Sequence, residues 1–225
     1  DLANQGIDVA LFDPKGIGTG GSKMQTSALH CRLLGDSSGA GEFRARAFHH
    51  ARQALAHYPS IRALDAVQLA LSADEVRRQQ RLYDVYAHPT SPWLQFLEAS
   101  KLDQRLGIKA LSGLLFPNSA LINLNLLCQQ LADHPRVTLI PTLGQGRPDV
   151  IACASASRDL VTSMPLEIGD VYGQLDWIAP PDIPSADRLD TAIVGNGYVL
   201  PGAEHWVLGS TYEQTPWPPA TATEH

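Results

Sequence analysis

The chain has little of what would announce a covalent or metal scaffold. Its three cysteines, Cys31, Cys128 and Cys153, lie far apart and form no CxxC pair. That argues against a disulfide framework or a zinc site and for a reducing, cytoplasmic setting. No run of about twenty apolar residues is present to cross a membrane. The opening DLANQGIDVALFD has neither the basic start nor the apolar centre of a secretory signal. Charged residues make up 18% of the chain, too few for a disordered tail. A formal charge of −6 excludes bulk electrostatic binding to nucleic acid but not a local basic patch. There is no Gly-x-Ser-x-Gly elbow, no Ser/His/Asp set can be assembled, and no internal repeat is visible. What is abundant is apolar material, 44% of 225 residues. That suffices for one large domain or two small interleaved ones.

The hydrophobic pattern reads as α/β units followed by a segregated antiparallel sheet. Asp1 to Gly6 has the form of a last helical turn closed by glycine. Ile7 to Phe12 then reads as a strand, stopped by Asp13-Pro14, and a glycine-rich stretch runs from Lys15 to Gln25. Three-to-four spacing predicts a helix over 38–58, with Phe43, Ala47, Phe48, Ala51, Leu55 and Tyr58 on its apolar face and Arg44, Arg46, His49 and Arg52 opposite. Ala66 to Leu71 reads as a strand. Ser72-Ala-Asp-Glu75 is a capping-box start to a second helix, so Asp74 and Glu75 are helix N-terminal acids. A third helix is expected from Ser91 with Pro92 in its first turn. Leu114–Phe116 and Ala120–Ile122 read as extended pieces around a Pro117-Asn118 turn, and Asn123 to His134 as a helix. Val137–Ile140 and Val150–Ala154 are strand-like, with a further helix at Ser157. Strands are expected over 170–178, 192–200 and 205–212, before a frayed Pro- and Thr-rich tail.

Asp13 carries a nucleotide signal. An apolar strand ending in a carboxylate, after a glycine-terminated helix, has the form of the ribose-binding strand of a dinucleotide fold. The acid normally follows a glycine fingerprint by about 20 residues, yet only twelve precede it here. Without that fingerprint no helix N-terminus cradles a pyrophosphate. The plainer reading is a strand followed by a turn. Gly16, Gly18, Gly20 and Gly21 could bring bare backbone N–H groups against a phosphate or flavin, or form a simple surface loop.

Taken in order, LANQGIDVALFDP, GTGGS, TSALH, EFRARAFHHARQAL, VTLIP, DVIACAS, YGQLDWI, GNGYVLP and HWVLGSTYE resemble the FAD-dependent oxidases of the D-amino-acid-oxidase superfamily. Within it they resemble the oxidoreductase half of the bifunctional tRNA 5-methylaminomethyl-2-thiouridine biosynthesis enzymes. The resemblance implies an FAD-binding Rossmann-like domain, lacking its first strand and glycine fingerprint, interleaved with an antiparallel-sheet substrate domain. The expected division is 1–45 and 120–165 for FAD, and 46–119 and 166–225 for substrate. The implied reaction is flavin-dependent oxidation of a C–N bond, which removes the carboxymethyl group from carboxymethylaminomethyl-uridine at the tRNA wobble position.

By the same resemblance Asp13 binds ribose, and Gly20, Gly21 and Ser22 run beside the flavin and pyrophosphate. Ser27, Ala28 and Leu29 pass the isoalloxazine, Val137 meets the adenine, and Cys153 and Ala154 with Ser155 form the small-residue turn against the dinucleotide. Gly209 and Tyr198 approach the flavin, Tyr198 from the substrate side, and His30 is a substrate contact or a packed histidine. Ser155 stands where the family has glycine, and the span from Val137 to Val150 is too short for the family's small β-meander. A fragment of a longer protein, with a fused methyltransferase domain as one possible neighbour, accounts for these departures.

Two rival readings remain. A glycine- or sarcosine-type oxidase calls for a substrate-binding arginine in the antiparallel sheet, where residues 170–212 offer only Arg188. A flavin-free remnant would serve as a binding module. Arg44, Arg46, Arg52, Arg77, Arg78 and Arg81 form either a cationic surface for a tRNA or ordinary solvated helix faces. His49, His50 and His57 share one helix, and metal ligation there would need a further ligand.

Overall fold

A computed structural model describes residues 2–34, 39–87, 92–144, 148–161, 163, 166–179, 182 and 189–212. The chain divides into two compact units. One comprises Asp1–Pro14, His134–Leu175 and Gly209–His225, the other Lys15–Asp133 and Asp176–Leu208.

The first unit holds a two-stranded parallel sheet of β1 (Val9–Leu11) and β6 (Val137–Leu139). Their register sets Val9 opposite Val137 and Leu11 opposite Leu139. A short 3-10 turn, Ala3–Gln5, leads into β1 and ends at Gly6, whose φ of 86° is the left-handed closure its sequence predicts. The Val9 N–H donates to the Arg136 carbonyl, and the Arg136 guanidinium reaches Asp8 at 2.8 Å. Val150–Ala154 is not a strand. Val150 is exposed, and Cys153 instead precedes a 3-10 turn, Ala154–Ala156, that runs into α5 (Ser157–Leu160). No described residue of this unit is fully buried, whereas Leu2, Ile7, Leu139, Leu143, Leu160 and Val171 are all exposed.

The second unit is built on a mixed sheet with the order β2-β5-β3-β8-β9-β10-β7, and β4 also pairs with β5. The strands are β2 (Ser27–Leu29), β3 (Ile61–Ala70), β4 (Gln95–Glu98), β5 (Ser112–Ile122), β7 (Leu175–Ile178), β8 (Thr191–Val194), β9 (Tyr198–Pro201) and β10 (Trp206–Gly209). Strand β5 is antiparallel to β2, β3 and β4, whereas β3 and β8 are parallel. The two extended pieces expected around Pro117-Asn118 are one strand with an irregularity. Asn118 takes a φ of 57°, and the Asp65 carboxylate accepts its N–H at 3.1 Å while also receiving Arg105 at 2.9 Å. Residues 192–200 likewise differ from expectation: they form an antiparallel hairpin, β8 to β9, because Gly195-Asn196-Gly197 turns the chain.

Two helices pack on this sheet around one apolar cluster. Helix α1 (Gly39–Leu55) buries Gly41, Ala45 and Phe48. Ala45 and Phe48 meet Cys31, Leu33, Trp93, Leu114 and Phe116. Of the apolar face read from sequence, Phe48 is buried and Ala51, Leu55 and Tyr58 are half-buried, but Phe43 is 70% exposed and Ala47 is exposed too. The reason is size, since the small side chains at 41 and 45 let α1 sit close while Phe48 fills the gap. Helix α2 (Ala73–Tyr86) starts at the expected capping box: Ser72 Oγ accepts the Glu75 N–H, and Glu75 returns to the Ser72 N–H. Ser91 lies outside the described residues; the chain from Pro92 enters β4 rather than a helix, and the next helix is α3 (Ala99–Leu106). Helix α4 (Leu124–Ala132) is capped by the Asn123 side chain. A second cluster, Val67, Leu97, Leu102 and Leu115, packs under α3.

Gly113 of β5 faces that second cluster. A Cβ there would stand 2.8 Å from Leu102 Cδ1 and 3.0 Å from Val67 Cγ2. Gly113→Ala is expected to cost roughly 1–3 kcal/mol by overpacking, and Leu102→Ala alone roughly 2–5 kcal/mol by opening a cavity. In the double variant the new methyl occupies part of the vacated space, so the two losses should sum to less than the singles. Urea unfolding of the three variants checks this, and strict additivity would contradict the packing described.

Candidate functional site

Each unit contributes its own group of candidate residues. In the first, Asp13 lies two residues beyond the carboxyl end of β1, and β6 runs parallel beside it with Val137 at its start. Open α/β sheets take ligands at the carboxyl ends of parallel strands. Asp13 is exposed at that end. The Cys153–Ala154–Ser155 turn belongs to the same unit. Ala154 has a φ of 47°, a backbone state where glycine is at ease, and the Cys153 N–H is held by Ser157 Oγ at 3.3 Å. Asp170 is tied to the turn, its carboxyl held below the usual range by hydrogen bonds from Arg158 and Ser155. Gly209, at a φ of 142°, is packed against Gln174 and Leu175 at the edge of the unit.

In the second unit the glycine-rich loop is fixed at one point and open at another. Gly18 (φ 72°) is buried against Asn125, whose Nδ2 donates to the Gly18 carbonyl at 2.8 Å. The Leu124 N–H also binds the Met24 carbonyl at 2.9 Å, so the N-terminus of α4 holds the loop from both sides. Gly20 and Gly21 are different, since a Cβ at either would meet nothing within 4 Å. Sequence reasoning missed Asn125. The signal was the second Asn two residues after a cap, where a side-chain amide can reach back to a loop.

Beyond the loop, β2 carries Ser27, Ala28 and Leu29. Ala28 lies opposite Leu121, and Leu121 opposite Arg62, which makes one cross-strand row. Arg62 donates to the Pro201 carbonyl, an arginine in the sheet that a search confined to 170–212 does not find. Arg188, the one cation in that span, lies outside the described residues. Tyr198 sits on β9, which is four strands from β2 in the order of the sheet. The end of β9 does return, because Gly202 packs tightly on Thr26 just before β2.

His30 and Cys31 follow β2 with opposite fates. Cys31 is 3% exposed, and burial pushes its thiol up to about 11. His30 is partly buried, and burial, helped by the positive charge of Arg32, holds its pKa below 6.5. His49 and His50 lie on α1, whereas His57 falls in the turn beyond its end at Leu55, so the three do not share one helix as expected. The His49 ring packs edge-on to Trp93 at 4.8 Å, and His57 lies against Tyr58 at 4.2 Å. Among the described residues no group of three or more His, Cys, Asp and Glu side chains could hold a metal.

Each unit, taken by itself, offers one feature suited to part of an FAD. A carboxylate past a parallel strand suits a ribose, and a glycine loop with no Cβ in the way suits close approach of a flexible cofactor. Among the described residues no helix opens with a glycine fingerprint for the pyrophosphate.

No family model matches the chain. It is 25% identical, over 94% of its length, to the tRNA 5-methylaminomethyl-2-thiouridine biosynthesis bifunctional protein MnmC of Pseudomonas aeruginosa, and covers 36% of that protein. The chain is thus distantly similar to MnmC proteins over most of its length. It spans about a third of the length of the MnmC proteins it matches. Its fold is that of solved oxidases. Glycine oxidase from Geobacillus kaustophilus superposes with a TM-score of 0.67 at 18% identity, covering 96% of this chain and 68% of that one. The L-α-glycerophosphate oxidase of Mycoplasma pneumoniae, solved with FAD bound, gives 0.63 at 12% identity over 91% of this chain and 65% of its own. The mixed α/β architecture expected from sequence is therefore the architecture found. No helix among the described residues is long and apolar enough to cross a membrane.

Two outcomes follow from the surroundings of His30 and Cys31. An unfolded chain takes up a proton near pH 6.5 that folded His30 declines, so stability falls as pH drops through 6.5 and is unaffected above it. His30→Asn should flatten part of that slope in urea midpoints measured between pH 7.5 and 5.5. In native protein at pH 7.5 a thiol reagent followed by mass spectrometry should modify exposed Cys153 first, and Cys31 only after unfolding. Early labelling of Cys31 would contradict its burial.

Proposed function

We propose that this chain is a flavin-dependent C–N oxidoreductase of the MnmC type, acting on the carboxymethylaminomethyl group of a wobble uridine in tRNA. The observation that carries the reading is the agreement between distant MnmC homology over most of the chain and the fold of solved glycine oxidase. FAD, when bound, supplies the two-electron acceptor that amine oxidation needs. The chain's own residues would hold and orient it. Asp13 would accept hydrogen bonds from the adenosine ribose beyond the carboxyl end of β1, and Val137, which pairs with Val9 at the other end of the two strands, would meet the adenine through its backbone. The turn of Cys153 and Ala154 and the open glycines Gly20 and Gly21, with Ser22, follow the pyrophosphate. Ser27, Ala28, Leu29 and Gly209 border the flavin. His30, neutral above its lowered pKa, and Tyr198 would face substrate.

In this reading residues 1–45 and 120–165 serve FAD and 46–119 and 166–225 serve substrate. The protein works in the cytoplasm on tRNA, with a fused methyltransferase domain as a possible neighbour. A second reading, oxidation of free glycine or sarcosine, is favoured by the glycine oxidase fold and by Arg62 in the large sheet, whose guanidinium could meet a substrate carboxylate.

Visible absorption of the purified chain, before and after excess FAD and removal of the unbound dye, tests the cofactor assignment. A retained, shifted flavin spectrum is expected, and a chain that never retains flavin would sink the oxidoreductase reading. Charge-assisted hydrogen bonds contribute ~1.5–3 kcal/mol each, so Asp13→Ala should weaken FAD at least tenfold, read as the dissociation constant from a flavin titration. Turnover of hypomodified tRNA against free glycine then separates the two substrates.

A further inference from the structure

We propose that the exposed face of α1, centred on Phe43, Arg44 and Arg46 with the neighbouring Arg32, is the surface on which this protein docks RNA. The inference rests on the tRNA reading above and names the surface that serves it. The chain carries −6 overall, yet residues 23–62 set Lys23, Arg32, Arg44, Arg46, Arg52 and Arg62 against only Asp36 and Glu42. Packing concentrates part of this charge in one place. Ala45 and Phe48 anchor α1 on Cys31 and Leu33, and Arg44 Nη1 donates to the Arg32 carbonyl at 3.3 Å. Arg32, Arg44 and Arg46 are all exposed.

Phe43 is the second observation. A core-sized aromatic in a helix that had the choice of burying it is instead 70% exposed, and Arg46, Ala47 and His50 follow it at i+3, i+4 and i+7 on the same exposed face. A ring flanked by guanidinium groups suits an unpaired base stacked beside its phosphates. Helix α2 is the internal contrast. Its Arg77, Arg78 and Arg81 are exposed, but Asp74, Glu75 and Asp84 share the helix, and Arg77 is paired with Asp74. On α1 the acid is Glu42 alone, bridged to Arg46.

The test is fluorescence anisotropy with a labelled anticodon stem-loop RNA, titrated at several salt concentrations with the FAD-treated protein. Arg44→Gln with Arg46→Gln should weaken binding at least tenfold at low salt and reduce the log–log salt slope by about 1 per cation. Phe43→Ala should weaken it roughly tenfold with the slope unchanged. Arg77→Gln with Arg78→Gln should change affinity less than twofold, and circular dichroism should report native helix in every variant. RNA binding that survives the α1 changes, or is lost equally with α2, overturns the surface and leaves the tRNA reading standing. A protein that retains FAD but binds no RNA overturns both, and moves the substrate to a free amine.

Discussion

Strand β5 pairs with β2, β3 and β4, and every one of its side chains except Pro117 and Asn118 is buried. One eleven-residue strand thus fixes the register of the strand bearing Ser27, Ala28 and Leu29, and both apolar clusters rest on it: Leu114 and Phe116 under α1 and α2, Leu115 under α3. Fully burying side chains of this size contributes ~1.5–3 kcal/mol each. The irregularity at Asn118, held by Asp65, lets so long a strand twist without losing either layer.

Much of this was legible where the determinant is local. The Ser72–Glu75 box depends on hydrogen bonds within a few residues and stands where spacing put it, and α4 starts within one residue of its expected beginning at Asn123, which proves to be its cap. The face of α1 was not, because Phe43–Ala47 and Ala45–Phe48 both satisfy helical spacing; the choice is made by Cys31, Leu33 and Trp93, which are distant in sequence. The start of β3 was missed since Ile61 to Asp65 does not alternate; what makes it a strand is its pairing with the distant end of β5. Gly195-Asn196-Gly197 did signal a turn, and the apolar flanks concealed it.

The candidate site was legible as residue types in order rather than as geometry. Asp13 is visible because a carboxylate ending an apolar strand is rare enough to notice. Gly18 and Gly20 look alike in sequence and behave differently in space: one is clamped by Asn125, the other stands open. Only tertiary contact separates the glycine that shapes the loop from the glycine that leaves room for a guest.

The first unit is held together in an unusual way for parallel strands, which are normally covered on both faces. Its two three-residue strands enclose no fully buried side chain. Little of its free energy can then come from burial of its own surface, and local opening there should be shallow compared with opening at β5. Whatever molecule settles on the carboxyl ends of β1 and β6 adds its contacts to a segment with few of its own. Its apparent dissociation constant would then include the work of ordering that segment, and the gain in protection of the Val9 and Ile140 amides against hydrogen exchange would be a direct gauge of that coupling.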